Sequence, residues 1–256
     1  MQVLSCMASW APGEMVGTAP GAHYLLFRTE HTAAETPMEP YLWICAAELA
    51  DSLGADVLNT SLGYTTFDAP FESYSYADLD GETILVSKAA QMAAQKGMLV
   101  FNSAGNSGNS SWKYIGAPAD AKDIIAVGAV DANREKAGFS SFGPSADDRV
   151  KPELAAMGRK TVLYGAGDAL TNSNGTSFSS PVLAGGGAAF WSLHPTESAS
   201  AIRTVMMESG HLFAAPGPDL GYGIPHFGNA HARLSRPELL LAETFMAAPN
   251  PVEKSE

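Results

Sequence analysis

A chain of 256 residues, 46% of them hydrophobic and 16% charged, is long enough to bury a large core and reads as an ordinary globular domain rather than a disordered chain. Its 27 acidic against 15 basic residues leave a formal net charge of -12, which argues against a nucleic-acid surface because phosphate binding needs clustered Lys and Arg. No apolar run approaches the roughly 20 residues that span a bilayer, and MQVLSCMASW has neither the basic start nor the long apolar core of a signal peptide.

In chain order, the first expected strand is HYLLFRTE (23–30), an apolar run between polar residues. A helix over PYLWICAAELADSLG (40–54) follows, and then a strand over ADVLNTSLG (55–63). ETILVSKAAQMAAQKG (82–97) is the next helix. Both helices space apolar residues by three and four and end at a glycine suited to a C-cap. Strands over GMLVFNSAGNSG (97–108), DIIAVGAV (123–130) and KTVLYGAG (160–167) complete the series. Strand, helix, strand in repetition, with strands apolar on both faces, predicts an α/β fold: a parallel sheet with helices on both faces. In such sheets ligands bind at the carboxyl ends of the strands, where TSLG and SAGNSGNS fall. The chain divides into a domain over 1–235 and a linker-like end over 236–256, SRPELLLAETFMAAPNPVEKSE marking the change. Cys6 and Cys45 sit in apolar stretches and read as small buried hydrophobes, with a mutual disulfide as the alternative.

NSNGTSFSSP (172–181) opens the small, apolar run SFSSPVLAGGGAAFWSLH, a buried helix with Pro181 expected in its first turn, where a missing N–H is harmless. Ser177 at this start has two readings. It caps the helix, or it is a nucleophile whose developing oxyanion the helix N–H groups stabilise. Gly175 allows a tight turn before it, and Gly185 to Gly187 allow another backbone close to the helix. Asn106, in FNSAGNSG, is either a turn residue or a second oxyanion donor. Ser61, Leu62 and Gly63 end a strand with room for an extended peptide.

These residues together resemble the subtilisin-like serine proteases (subtilases, peptidase family S8). GTSFSSP (175–181) fits the pattern Gly-Thr-Ser-x-Ala/Ser-x-Pro around their nucleophile, SAGNSG their oxyanion-asparagine segment and VLNTSLG their substrate strand. FSSFGPSADDRVKPELAAMG (139–158) resembles the segment leading to their last core strand, and GYGIPHFGNA (221–230) their closing segment. The resemblance implies a three-layer fold and a serine endopeptidase. Ser177 would form the acyl-enzyme, while Asn106 and the Ser177 N–H would hold the oxyanion. Ser61, Leu62 and Gly63 would line the extended-peptide subsites, and Ala104 and Gly105 a wall of the primary specificity pocket. In the family, removing the asparagine donor costs about 10²–10³-fold in rate. The resemblance implies a peptide or protein substrate and a monomer. It implies no cofactor, and none of these residues forms a metal motif, although structural calcium is common in the family and the acidic loops permit it.

A serine hydroxyl needs a base, and the base an acid. The family's Asp-Ser/Thr-Gly and His-Gly-Thr-x-Val motifs are not found, and MQVLSCMAS resembles what directly follows that histidine. His23, His31, His194, His211, His226 and His231 lie in no matching context and read as surface or structural residues. The expectation is an N-terminally truncated protease, inactive as it stands, with a gap in the sheet between 23–30 and 55–63. A non-catalytic, peptide-binding pseudoprotease is the alternative. A lipase-like hydrolase needs Gly-x-Ser-x-Gly, which Gly-Thr-Ser-Phe-Ser does not supply. FMAAPNPVEKSE resembles the opening of a type IX sorting domain, which implies a bacterial protein that is secreted or held at the cell surface.

Overall fold

In a computed structural model, which describes residues 1–31 and 33–235, the chain folds as an α/β unit around a short parallel sheet. The chain opens with α1 (Gln2–Ala8) and a small antiparallel hairpin of β1 (Trp10–Ala11) and β2 (Met15–Val16). Helix α2 (Met38–Ser52) leads to β3 (Val57–Thr60), and α3 (Leu85–Gln95) to β4 (Leu99–Ser103). After β5 (Ile125–Val130) and β6 (Leu154–Met157) comes a second hairpin, β7 (Thr161–Tyr164) with β8 (Leu170–Ser173). Three helices close the described chain: α4 (Thr176–Ser192), α5 (Ala199–Glu208) and α6 (Phe227–Ser235).

The main sheet has the order β3-β4-β5-β6, parallel throughout. Both faces are covered, which is why its central strands are apolar without alternation. Leu99, Phe101, Ile125 and Val127 pack with residues of α4 and α5 on one face, and Val100, Ala126 and Ala104 with residues of α2 and α3 on the other. Both helix stops fall at the expected glycines, since Gly54 and Gly97 follow α2 and α3 with φ of +78° and +107°, the left-handed caps that glycine adopts without cost. The glycine run of α4 serves close packing. A Cβ at Gly185 would strike the Thr18 hydroxyl, and one at Gly187 would stand 2.8 Å from the Phe101 ring.

Four expectations are corrected. Residues 23–30 form no strand, and Leu25, Leu26 and Phe27 are exposed. The sheet ends at β3, so this run has no ladder to join. The stretch 160–167 does contain a strand, β7, but it pairs with β8 outside the main sheet; the fourth sheet strand is instead the Ala-rich β6. Cys45 is exposed, because α2 buries Glu39, Pro40, Trp43, Ala47 and Ala50 and Cys45 lies off that stripe. Cys6 is buried, and both thiols are free. Pro181 lies in the second turn of α4, past the positions whose N–H groups are free anyway. The expected linker over 236–256, including Pro249-Asn250-Pro251, lies outside the described residues.

A buried ion pair underpins the sheet. Lys151 Nζ lies 2.6 Å from Glu153 Oε1 and donates to the Ala121 carbonyl at 2.7 Å, while Glu153 Oε2 accepts from the Ala126 N–H of β5 at 2.7 Å. Burial pulls the Lys151 ammonium below the ordinary lysine range against the pull of Glu153. Asp120, also buried, accepts from Ser87 Oγ and the Gly81 N–H, and burial raises its carboxyl above the usual range.

Candidate active site

Parallel pairing sets Thr60 opposite Asn102, so the segments that leave β3 and β4, Ser61-Leu62-Gly63 and Ala104-Gly105-Asn106, emerge side by side at one end of the sheet. The N-terminus of α4 arrives at the same end. Its cap comes from another part of the chain: the Asn106 Oδ1 accepts from the Thr176 N–H at 2.9 Å and from the Thr176 hydroxyl at 3.0 Å. Thr176 is fully buried, and its Oγ1 also accepts from the Gly105 N–H at 3.2 Å. The loop is equally constrained from behind. Gly105 has φ +110°, and a Cβ there would stand 2.8 Å from the Ser141 hydroxyl, so glycine is required on two grounds.

Ser177 is the second residue of α4 and half-buried. It is not the cap. Its hydroxyl donates to the Ser61 carbonyl at 3.3 Å, and the Ser61 hydroxyl returns a bond to the Ser177 carbonyl at 2.9 Å. That second bond has a local cause, because the Ser177 carbonyl is the one whose helical donor would be the missing N–H of Pro181. Asn59, on β3 two residues before Ser61, extends the clamp: its Oδ1 accepts from Ser180 Oγ at 2.8 Å, and its Nδ2 donates to Ser61 Oγ at 3.3 Å. Two elements of the sheet end thus fix the first two turns of α4.

All seven residues expected at the site lie on these three segments. Ser61 and Leu62 are half-buried and Gly63 is exposed; Ala104 is fully buried, Gly105 half-buried and Asn106 exposed. Leu62 is held by its carbonyl, which accepts from Asn102 Nδ2 and Ser103 Oγ, each at 3.4 Å. Ser61 is engaged with α4 through its side chain, which a reading of it as a subsite residue alone did not foresee. Thr176, Asn59 and Asn102 were also missed. For Asn59 the signal was available, since residues 59 and 61 must share a face of a strand.

The arrangement places a hydroxyl, a helix N-terminus and a carboxamide in one place. With its Oδ1 taken up by Thr176, Asn106 keeps its Nδ2 as the donor, and no hydrogen bond to that nitrogen occurs among the described residues. Backbone N–H groups at a helix start favour developing negative charge. Among the described residues no imidazole, carboxylate or amine is hydrogen-bonded to Ser177 Oγ; its partner is the Ser61 carbonyl.

The model of the subtilase family matches residues 5–225, most of the chain. The chain belongs to the subtilase family. Among curated subtilases, subtilisin DY of Bacillus licheniformis is 37% identical over 163 residues, covering 62% of this chain and 51% of that protein. Subtilisin NAT of Bacillus subtilis subsp. natto is 32% identical over 191 residues, 74% of this chain and 44% of its own length. The chain therefore spans about half the length of the curated subtilases it matches. Two solved structures share the fold: the self-cleaved protease domain of PatA, with a TM-score of 0.72 at 20% identity over 91% of this chain and 82% of that one, and the PatG macrocyclase in complex with peptide, at 0.71 and 21% over 91% and 67%.

For calcium, the acidic group to consider is Glu30, Glu35 and Glu39, whose oxygens come within 4.8 Å of one another. Glu39 uses both oxygens on the N–H groups of His31 and Thr36, and Glu30 accepts from the Thr29 and Tyr64 hydroxyls. Burial, followed by the neighbouring carboxylates, raises the Glu35 carboxyl above its ordinary range. Both oxygens of Glu39 and the Oε1 of Glu30 thus accept hydrogen bonds within the fold, and the group carries no assignment.

Proposed function

We propose that this chain is the nucleophile-bearing part of a serine endopeptidase that forms its acyl-enzyme on Ser177. The carrying observation is the Thr176–Asn106 pair, which fixes the carboxamide by its oxygen and leaves its amide as a donor beside the helix start. A peptide carbonyl attacked by Ser177 Oγ would receive hydrogen bonds from Asn106 Nδ2 and the Ser177 N–H as its oxygen becomes anionic. Extended substrate would run along Ser61, Leu62 and Gly63, with Ala104 and Gly105 walling the pocket for the residue before the scissile bond. The substrate is a peptide or protein met outside a bacterial cell, and the protein acts as a monomer.

Attack requires that the Ser177 proton leave to a base. The 3.3 Å donation to the Ser61 carbonyl is no such route, since an amide carbonyl is far too weakly basic. The 256-residue chain by itself is therefore inactive in this reading and acts once segments bearing an aspartate and a histidine are supplied. The same observation favours a second reading, a peptide-binding pseudoprotease that keeps the Ser61–Gly63 edge without turnover.

Labelling with a serine-directed fluorophosphonate separates the two. The chain alone should not label. The chain extended at its N-terminus by segments carrying Asp-Ser/Thr-Gly and His-Gly-Thr should label at Ser177 and lose the label on Ser177→Ala. Strong labelling of the chain alone would overturn its inactivity, and an extended, folded chain that never labels would favour the pseudoprotease.

A further inference from the structure

At the far end of α4 from Ser177, two imidazoles face each other, one just past the end of α4 and one on α6. His194 follows the C-cap residue Leu193, and His231 lies on α6; the His194 Nε2 and the His231 Nδ1 are 3.0 Å apart. Neither ring is placed by chance. Phe190, one turn back on α4, packs on the His194 ring at 5.1 Å between centroids and on Phe227 of α6 at 5.5 Å. The other nitrogen of His231 faces the Ser235 hydroxyl at 3.4 Å.

We propose that His194 and His231 bind one divalent transition cation of the zinc, nickel or copper class, which staples α6 to the end of the nucleophile helix. Imidazole nitrogens bind such metals at about 2.0–2.1 Å, so two ligands on one ion stand about 2.9–3.4 Å apart, the separation already present between these rings. Without metal, the two facing nitrogens stand at hydrogen-bond distance from each other. With metal, each ring keeps its one proton on the nitrogen turned away, Nδ1 of His194 and Nε2 of His231, and both facing lone pairs go to the ion. The Ser235 hydroxyl is then the acceptor for the His231 Nε2–H, the outer contact that fixes the tautomer of a ligating histidine. Imidazole donors select this class over magnesium and calcium, which take oxygen ligands. Among the described residues no further His, Cys, Asp or Glu completes a group of three here, so water fills the remaining positions and the ion exchanges with solvent and chelators.

The test is titration of the 256-residue chain, free of any histidine tag, with zinc chloride in a calorimeter, with magnesium chloride as control. One equivalent of zinc should bind, magnesium should not, and the thermal midpoint should rise with zinc and return with chelator. His194→Ala and His231→Ala should each weaken zinc binding by about tenfold or more. His211→Ala and His226→Ala should leave it unchanged. His194→Gln and His231→Gln, closer to the native size, repeat the measurement should an alanine variant fail to fold by circular dichroism. Zinc binding that survives both substitutions at its original strength, or a folded wild-type chain that takes up no zinc, overturns the proposal.

Discussion

The Ser61 hydroxyl donates, at 2.9 Å, to the Ser177 carbonyl that Pro181 leaves without a helical partner. Helix α4 can therefore carry a proline in its second turn, and the segment leaving β3 is fastened to the residue proposed as nucleophile. Ser61→Ala should cost about 1 kcal/mol in stability by denaturant unfolding, the usual worth of such a bond. Pro181→Ala restores an N–H to that carbonyl, so in its background the cost of Ser61→Ala should shrink markedly. Equal costs in both backgrounds would show that the two residues do not share the carbonyl.

The ion pair of Lys151 and Glu153 gives a second expectation. Lys151 is fully buried, so Lys151→Met should destabilise the fold by about 3–5 kcal/mol, because the Glu153 carboxylate would remain buried with only its bond from Ala126 and the more distant Arg203. Urea unfolding measures this. A loss below about 1 kcal/mol would mean that the site accommodates the lone carboxylate.

Cys6 and Cys45 should differ in chemistry as they do in burial. In native protein a thiol reagent should modify Cys45 alone, and in denaturant both. Burial lifts the Cys6 thiol from 9.0 to about 11. In the unfolded chain the thiol ionises near its ordinary value while the folded chain holds the proton, so its contribution is full below about pH 9 and is lost as pH rises toward 11. Compared with Cys6→Ala, the wild-type chain should lose stability across that window. Parallel pH profiles would contradict the burial of the thiol.

How much of this was legible in the sequence follows from what each residue depends on. The strands β3, β4 and β5 and the helices α2, α3 and α4 follow from local patterning, and the site residues fall at their ends because parallel connections bring those ends together. Residues 23–30 have the composition of a strand, but a strand needs a partner, and pairing is not a property of eight residues. Strand β6, LAAM, has the opposite problem: covered on both faces and close to small residues, it consists largely of alanine and carries little intrinsic β preference. The Asn106 cap on Thr176 joins residues 70 positions apart, and no spacing rule announces it. The His194–His231 pair was equally invisible, since each histidine alone reads as a surface residue.

Turnover of a peptide substrate by the N-terminally extended chain reports whether Asn106 stabilises an oxyanion beside Ser177. Asn106→Ala should lower kcat by about 10²–10³-fold with KM nearly unchanged. Asn106→Asp, which keeps an oxygen for Thr176 but offers no donor, should also lose turnover while retaining the helix cap. Folded Asn106→Ala and Asn106→Asp chains that turn over at the unsubstituted rate would mean that Asn106 is no oxyanion donor.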